Sequence, residues 1–168
     1  MAVMRRLIRN QPPFEGSGSY TFEDGSHYEG TWQNFMPHGK GTYKYLNGTV
    51  YTGCFNEGNI DGEGELTIQN IGRLPYSERG PNAVELTYSG SFSNGCANGQ
   101  GVVTFPIDEK RTNSLQTNTR FEGGFSHGSA VGAGKFVYPQ YSERGEWASG
   151  AFVTGSGVEG TPPPHAST

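Results

Sequence analysis

The stretch that decides the fold is residues 28–45, YEGTWQNFMPHGKGTYKY, with its repeat at 51–68, YTGCFNEGNIDGEGELTI. Both begin with aromatic-x-Gly-x-aromatic, followed at the same distance by Gly-x-Gly-x-apolar-x-apolar. Two further copies begin at Tyr88 and Phe121, and partial copies flank the four. Recurrence of one short unit predicts a repeat architecture, in which each unit is stabilised by stacking on its neighbours.

Within each unit, apolar residues and glycines alternate with polar residues. In the first unit, Tyr28, Gly30 and Trp32 alternate with Glu29 and Thr31. A period of two is that of a β-strand and does not fit a helix. Each unit is therefore predicted to be a hairpin with one apolar and one polar face. The predicted fold class is all-β: an elongated, single-layer, twisted antiparallel meander of β-hairpin repeats.

Turn residues separate the predicted strands. Asp24-Gly25 and Asn47-Gly48 lie between units, and these residue types accept the positive φ that tight hairpins require. Within a unit, the turn is placed in the segment that ends at His38, Asp61 or Asn98 in the first three copies. His38 is therefore predicted to act as a turn residue before it acts as a base.

Composition limits the classes of function. The chain has 27 glycines and 12% aromatic residues but only 32% hydrophobic residues, so its apolar material is concentrated in rings. A net charge of -4 provides no field that would attract nucleic acid. Cys54 and Cys96 fit no metal-ligand spacing, and no apolar run approaches the roughly 20 residues that span a bilayer. We expect no metal, no cofactor, no nucleic-acid partner and no catalytic site.

The motif of residues 28–41, Tyr-x-Gly-x-Trp followed by His-Gly-x-Gly, resembles the MORN repeat (membrane occupation and recognition nexus). The resemblance extends from about Gly16 to Gly157, although Phe35 replaces the usual turn glycine. It implies a curved sheet of hairpins, no catalytic activity of the array itself, and a role in assembly.

The repeats divide the chain into three parts. Spacings of 23, 37 and 33 residues between the full repeats show two insertions at equivalent points, which are expected to emerge along one edge of the sheet. The predicted parts are a basic N-terminal arm (1–13), a repeat array (14–157) and an extended C-terminal tail (158–168). Within the array we assign a half repeat (14–27), full repeats from 28, 51, 88 and 121, and a degenerate capping repeat (143–157).

Glycines on the apolar face suggest how a single layer covers itself. A ring such as Trp32 or Phe55 is predicted to lie flat over glycines of neighbouring strands. The apolar surface that stays uncovered predicts an interaction site. The first insertion adds Tyr76-Ser-Glu-Arg-Gly80, a sequence that recurs at 141–145. The predicted partner-binding residues are Tyr28, Trp32, Tyr51, Phe55, Tyr88, Phe92, Phe121, Phe125, Tyr76 and Arg79.

These features predict a non-enzymatic scaffold and protein-interaction subunit of a cytoskeletal or ciliary (axonemal) assembly. The alternative is a membrane-associated tether for acidic phospholipid head groups, with weak lipid contact through Arg5, Arg6 and Arg9. The predicted location is the cytoplasm, at the cytoskeleton or cilium. The mitochondrion is the alternative, because the first ten residues contain three arginines and no acid.

Overall fold

A computed structural model of the chain describes residues 11–69, 86–105 and 119–161. These residues form strands joined by turns, with no helix. The strands are β1 (Glu15–Thr21), β2 (His27–Gln33), β3 (Met36–Lys44), β4 (Val50–Asn56), β5 (Asn59–Ile68), β6 (Leu86–Ser93), β7 (Cys96–Thr104), β8 (Arg120–Ser126), β9 (Ser129–Val137), β10 (Tyr141–Ala148) and β11 (Ala151–Gly160).

The eleven strands form one open sheet, and their spatial order is their order along the chain. Each strand pairs with the next in the antiparallel direction. The described residues contain no second sheet and no helix that would cover either face. The predicted all-β antiparallel meander of hairpins is therefore confirmed.

One glycine of each strand lies in a row that crosses the whole sheet. Cross-strand register pairs each of these glycines with the corresponding glycine of the next strand. This glycine row consists of Gly18, Gly30, Gly41, Gly53, Gly64, Gly90, Gly101, Gly123, Gly134, Gly145 and Gly155.

The first aromatic residue of each full repeat covers a pair of these glycines. A Cβ placed at Gly64 would lie 2.6 Å from the Cζ atom of Tyr51, closer than side chains pack. Trp32, one of the two rings predicted to cover glycines, does reach Gly18 of the neighbouring strand, where its Nε1 donates to the carbonyl at 2.9 Å. At Gly64 and its partner glycine, the nearest side-chain atoms belong to Tyr51 and not to Phe55, the other predicted ring. Tyr51 precedes its own row glycine by two residues on the same face, and its ring leans along the strand over the glycine pair. The ring of Phe55 instead packs edge-on against that of Tyr51.

The turns within the hairpins have two residues, both with positive φ, as the type I′ turn requires. The prediction that these turns end at His38, Asp61 and Asn98 was wrong, because those residues lie inside β3, β5 and β7. The five turns are Asn34-Phe35, Glu57-Gly58, Asn94-Gly95, His127-Gly128 and Ser149-Gly150.

Phe35 is unusual because the other four turns have glycine at the same position. Its φ of 63° is in the left-handed region, which costs a residue with a side chain about 1–2 kcal/mol. Its ring contacts that of Phe14 with centroids 5.0 Å apart, and its N–H donates to the Phe14 carbonyl at 3.2 Å. These contacts offset part of the cost.

A bulge follows the glycine row in every hairpin. In the first, Thr31 stands opposite three residues, 38–40, where regular pairing would give it one. Three residues also stand opposite Cys54 and three opposite Ser91. A buried tyrosine hydroxyl satisfies the carbonyl at each of these positions. Tyr28, Tyr51 and Tyr88 donate to the carbonyls of Thr31, Cys54 and Ser91 at 2.9, 3.0 and 3.0 Å.

The turns between units have the predicted Asx chemistry. The Asp24 carboxylate accepts hydrogen bonds from the Ser26 hydroxyl at 2.6 Å and the Ser26 N–H at 2.9 Å. These bonds lower the pKa of Asp24. In the next turn, the Asn47 side chain accepts the N–H of Thr49 at 3.0 Å. The prediction for residues 24–25 and 47–48 is confirmed.

The two insertions connect β5 to β6 and β7 to β8. The strand ends to which they attach lie on the same side of the sheet as the turns around Asp24 and Asn47, because successive strands are antiparallel. Residues 70–85 and 106–118 lie outside the described residues, and so do Arg5, Arg6, Arg9 and 162–168. At the other end, β11 continues to Gly160, so residues 158–160 belong to the sheet and not to the predicted tail.

Candidate partner-binding face

The rings of successive repeats interlock along the sheet. Tyr51 contacts Phe55 of its own repeat and Phe92 of the next, in both cases edge to face with centroids 5.1 Å apart. Tyr28 and Phe121 make equivalent contacts to the following repeat, at 4.9 Å each. The members of this ring ladder are Tyr28, Trp32, Tyr51, Phe55, Tyr88, Phe92, Phe121, Phe125 and Trp147.

The ring ladder is the hydrophobic core of the protein. Tyr28 and Tyr51 are 0% exposed, and the least buried members, Phe125 and Trp147, are 7% exposed. The first eight members are the rings that the sequence predicted to bind a partner. Since they are buried by this chain itself, they support the apolar face and present little surface to a partner. Contact with a partner stays a prediction for them.

Burial also determines the acid-base behaviour of the ladder. It raises the pKa of Tyr51 to about 12, and it raises the pKa values of Tyr28 and Tyr88. These phenols are therefore neutral over the physiological pH range, and each acts as a hydrogen-bond donor to its bulge. The ladder tyrosines are thus structural groups.

A second set of rings lies on the same face, beside the ladder. These rings lie towards the strand ends at which the repeats are connected to one another. Phe22 stacks on Tyr43 at 5.6 Å, and Tyr43 contacts Tyr45 at 4.6 Å. Near the other end, Phe136 stacks on Phe105 and on Tyr138 at 6.1 and 6.2 Å. We name these partly exposed rings the aromatic shelf: Phe22, Tyr43, Tyr45, Phe105, Phe136 and Tyr138.

The shelf was visible in the sequence as the apolar positions of each second strand, but those positions were not predicted to bind a partner. Their exposure could not be separated from that of the ladder by pattern alone, because both sets alternate with the same period. In the structure, Tyr45 is 39% exposed and the adjacent Leu46 is 78% exposed. Part of the accessible apolar surface of this face therefore lies at the shelf.

The opposite face is polar and contains two shallow depressions above the glycine row. Lys40, Glu63 and Glu65 line the first depression. Glu122, Lys135 and Arg144 line the second, together with Glu63. The two signs of charge are mixed, so neither depression attracts ligands of one charge.

Only the second copy of the repeated Tyr-Ser-Glu-Arg-Gly sequence lies among the described residues. This copy begins β10, where Arg144 forms an ion pair with Glu159 at 2.7 Å. Tyr76 and Arg79 of the first copy lie outside the described residues. Partner binding by Tyr76 and Arg79 stays a prediction.

Within the described ranges, no three His, Cys, Asp or Glu side chains are placed to hold a metal ion. No helix in those ranges is long and apolar enough to cross a bilayer. His38 lies in the first bulge, and its buried Nδ1 has no hydrogen-bond partner among the described residues.

Comparison with models of protein families identifies the repeat. A model of the MORN repeat matches five stretches that together cover more than half of the chain: residues 13–27, 28–50, 51–70, 88–108 and 121–143. The chain belongs to the MORN repeat family. MORN repeat arrays are modules for protein interaction or membrane association, and they are generally non-enzymatic.

The chain is also similar to alsin from three mammals. It is 34% identical to alsin of Rattus norvegicus over 117 residues, 33% to that of Mus musculus over 117 residues and 34% to that of Homo sapiens over 118 residues. Each match covers 67% of this chain but only 6% of alsin. The similarity therefore concerns a MORN array within a much longer protein.

Proposed function

We propose that this chain is a non-enzymatic scaffold that binds a protein partner on its apolar face, as a subunit of a cytoskeletal or ciliary (axonemal) assembly. The observation that carries the proposal is the aromatic shelf. Tyr45 is exposed on a face that no other described element covers, and Leu46 is exposed in the adjoining turn. Exposed apolar surface is typical of interaction sites.

The geometry favours a partner segment that crosses the strands. The shelf rings form two groups at different positions across the strands, one that contains Phe22 and one that contains Tyr138. An amphipathic helix or an extended segment that crosses the strands would present apolar side chains to both groups. Ladder rings contact shelf rings from the side, as Tyr28 contacts Tyr43, and such contacts restrict the shelf rings and lower the entropy cost of binding. The insertions attach to strand ends beside the shelf and would add contacts specific to this array.

Crosslinking mass spectrometry on extract of ciliated cells, followed by pull-down with purified chain, tests this function. We expect crosslinks to cytoskeletal or axonemal proteins. The variant Tyr45→Lys/Leu46→Lys should reduce recovery of those proteins at least about tenfold, a loss of about 1.4 kcal/mol. Thr52→Lys, on the exposed polar face of β4, is the matched control and should leave recovery unchanged. Equal recovery by the shelf variant and the control would contradict the proposal.

The alternative, a membrane tether, is favoured by the cluster of Arg5, Arg6 and Arg9. Each base near an anionic surface contributes about 1 kcal/mol, so three give weak binding. Co-sedimentation with phosphatidylserine vesicles, with and without residues 1–13, separates the two functions. We expect weak binding that disappears with residues 1–13. Strong vesicle binding by the array alone would favour the tether and a membrane location over the proposed cytoskeletal or ciliary one.

A further inference from the structure

The last strand of the sheet, β11, is exposed along its whole length. It pairs with β10 on one side and with no described strand on the other. Its large apolar side chains are uncovered: Phe152 is 58%, Val153 is 62% and Val158 is 54% exposed. An unpaired strand of this length and character is a template for another strand.

Two of the features that normally protect an edge strand from pairing, proline and free charge, are weak on β11. Residues 151–160 contain no proline and no lysine. Their one charged residue, Glu159, is engaged on the polar face by Arg144 at 2.7 Å and Lys135 at 3.6 Å. Natural edge strands usually rely on prolines and free charges to prevent association.

The first strand, β1, is better protected. Pro12 and Pro13 precede it, and Pro13 folds back over the first glycine of the row, where a Cβ at Gly18 would lie 2.8 Å from Pro13 Cγ. Glu15 is exposed at its start, and its large apolar residue, Tyr20, is half-buried. The two ends of the sheet therefore differ in their readiness to pair.

The bulges of β11 determine which strand can pair on its outer side. β11 has two single-residue bulges towards β10, at Val153 and at Ser156, on either side of Gly155. They bring Phe152, Gly155 and Val158 to the same face of the sheet. A regular strand alternates every two residues and does not match this spacing of three residues. A second copy of β11 has the same spacing.

Because the number of strands is odd, the relative directions of β1 and β11 indicate which strand of a second copy can pair with β11. With eleven strands in antiparallel order, β1 and β11 run in the same direction. Head-to-tail growth, with β1 of one copy on β11 of another, would require a parallel pair. Two copies of β11 related by a two-fold axis form an antiparallel pair, like every other pair in the sheet. We propose that β11 pairs with β11 of a second copy of this chain, about a two-fold axis at Gly155.

This register is self-complementary. It places Phe152 of one copy opposite Val158 of the other, on the apolar face of both, and both residues are more than half exposed in the single chain. Cross-strand aromatic and β-branched pairs stabilise sheets. Gly155 lies opposite Gly155, and Glu159 lies opposite Ala151, so no like charges meet. The two arrays would form one continuous sheet with their apolar faces on the same side.

Analytical ultracentrifugation of the full chain over a range of concentrations tests the pairing. We expect a species of twice 18.1 kDa at high concentration. The variant Val153→Lys/Val158→Lys should sediment as a monomer with an unchanged circular dichroism spectrum, because both side chains are exposed. The matched control at the other edge, Ser17→Lys/Ser19→Lys, should still dimerise. Dimerisation of the β11 variant to the wild-type extent would overturn the proposal.

A crosslink gives a direct test of the register. In a Cys54→Ser/Cys96→Ser background, Gly155→Cys places one thiol beside the axis, where its Cβ has ordinary contact with Phe152 at 3.5 Å. Oxidation should then give a disulfide-linked dimer, whereas Ser17→Cys in β1 should not. Wild-type chain that remains monomeric at all concentrations, with no disulfide from Gly155→Cys, would overturn the proposal and leave this edge to a strand of another protein.

Discussion

The first three full repeats and the fourth share the glycine row, but their bulges are stabilised differently. Tyr28, Tyr51 and Tyr88 each donate a hydrogen bond to a carbonyl at the bulge. The fourth repeat has Phe121 at this position and no hydroxyl. There, Gly124 pairs with Val131, so strand pairing resumes after the bulge one residue earlier than in the other repeats. The ring thus serves the core in all four repeats, whereas the hydroxyl fixes the shape of the bulge in three.

The largest difference in stability between the first three repeats and the fourth should appear at alkaline pH. Burial raises the pKa of Tyr51 from 10.0 to about 12 and raises those of Tyr28 and Tyr88. A raised pKa in the fold means that this stability is fully present below pH 10 and is lost as the pH rises towards 12. We expect the first three repeats to unfold in this window.

Circular dichroism and tyrosinate absorbance, followed in one titration, measure this effect. Tyr28→Phe/Tyr51→Phe/Tyr88→Phe should be less stable at pH 7 but should retain its sheet to higher pH than the wild type. Ionisation of these tyrosines near pH 10 with the sheet intact would show that the rings are accessible to solvent. The first three repeats would then be no more sensitive to alkali than the fourth.

Substitution of a row glycine should destabilise both regions equally, because both have the ring. A Cβ at Gly64 or Gly134 would lie 2.6 Å from the Cζ atom of Tyr51 or Phe121. We expect Gly64→Ala and Gly134→Ala each to lower the free energy of unfolding by about 2–3 kcal/mol, measured in urea. Gly155→Ala is the control, with 3.5 Å to the nearest ring atom, and should cost less than about 1 kcal/mol. Similar costs at all three positions would argue against a steric role for the rings.

Removal of one hydroxyl should have a smaller effect. Tyr51→Phe keeps the ring but leaves the carbonyl of Cys54 without its donor, which should cost about 1–2 kcal/mol. The same change at Tyr45, which is 39% exposed, should be close to neutral. Equal values for Tyr51→Phe and Tyr45→Phe in urea denaturation would mean that the bulge does not depend on the hydroxyl.

The reverse substitution should have the smallest effect. Phe121→Tyr would give the fourth repeat the hydroxyl of the other three and a potential acceptor in the Gly124 carbonyl. We expect a gain of up to about 1 kcal/mol in the free energy of unfolding, with protection of amides around Gly124 from hydrogen exchange. A loss of stability would show that the altered pairing of Gly124 and Val131 leaves no room for the hydroxyl.

The sequence predicted the architecture because its period of two and its recurring glycines are local signals. It also predicted the turns at residues 24–25 and 47–48 from residue type alone. It misplaced the turns inside the hairpins because Asn34-Phe35 lacks the turn glycine, while Gly39, with φ 68°, lies in a bulge four residues later. A glycine with positive φ fits either a turn or a bulge, and only pairing with the neighbouring strand distinguishes them.

The candidate site was predicted only in part. The face was correct as an apolar face, but the ladder and the shelf follow the same alternation along each strand. Their difference arises from contacts between repeats, such as that of Tyr51 with Phe92, 41 residues later in the sequence. Tyr51 is buried because a ring of the next repeat packs on it, whereas Tyr45 lies beyond the reach of such a ring. Burial of this kind depends on the register of two repeats and not on the pattern within one.

The central claim is that the row glycines covered by a ring of the ladder, such as Gly64, are required by that ring. A double-mutant cycle between Gly64→Ala and Tyr51→Leu tests it most directly, because the three atoms nearest to a Cβ at Gly64 all belong to Tyr51. In urea denaturation, Gly64→Ala should cost about 2–3 kcal/mol with Tyr51 present and less than about 1 kcal/mol with leucine there, a coupling of at least about 1 kcal/mol. An equal cost in both backgrounds would contradict the claim.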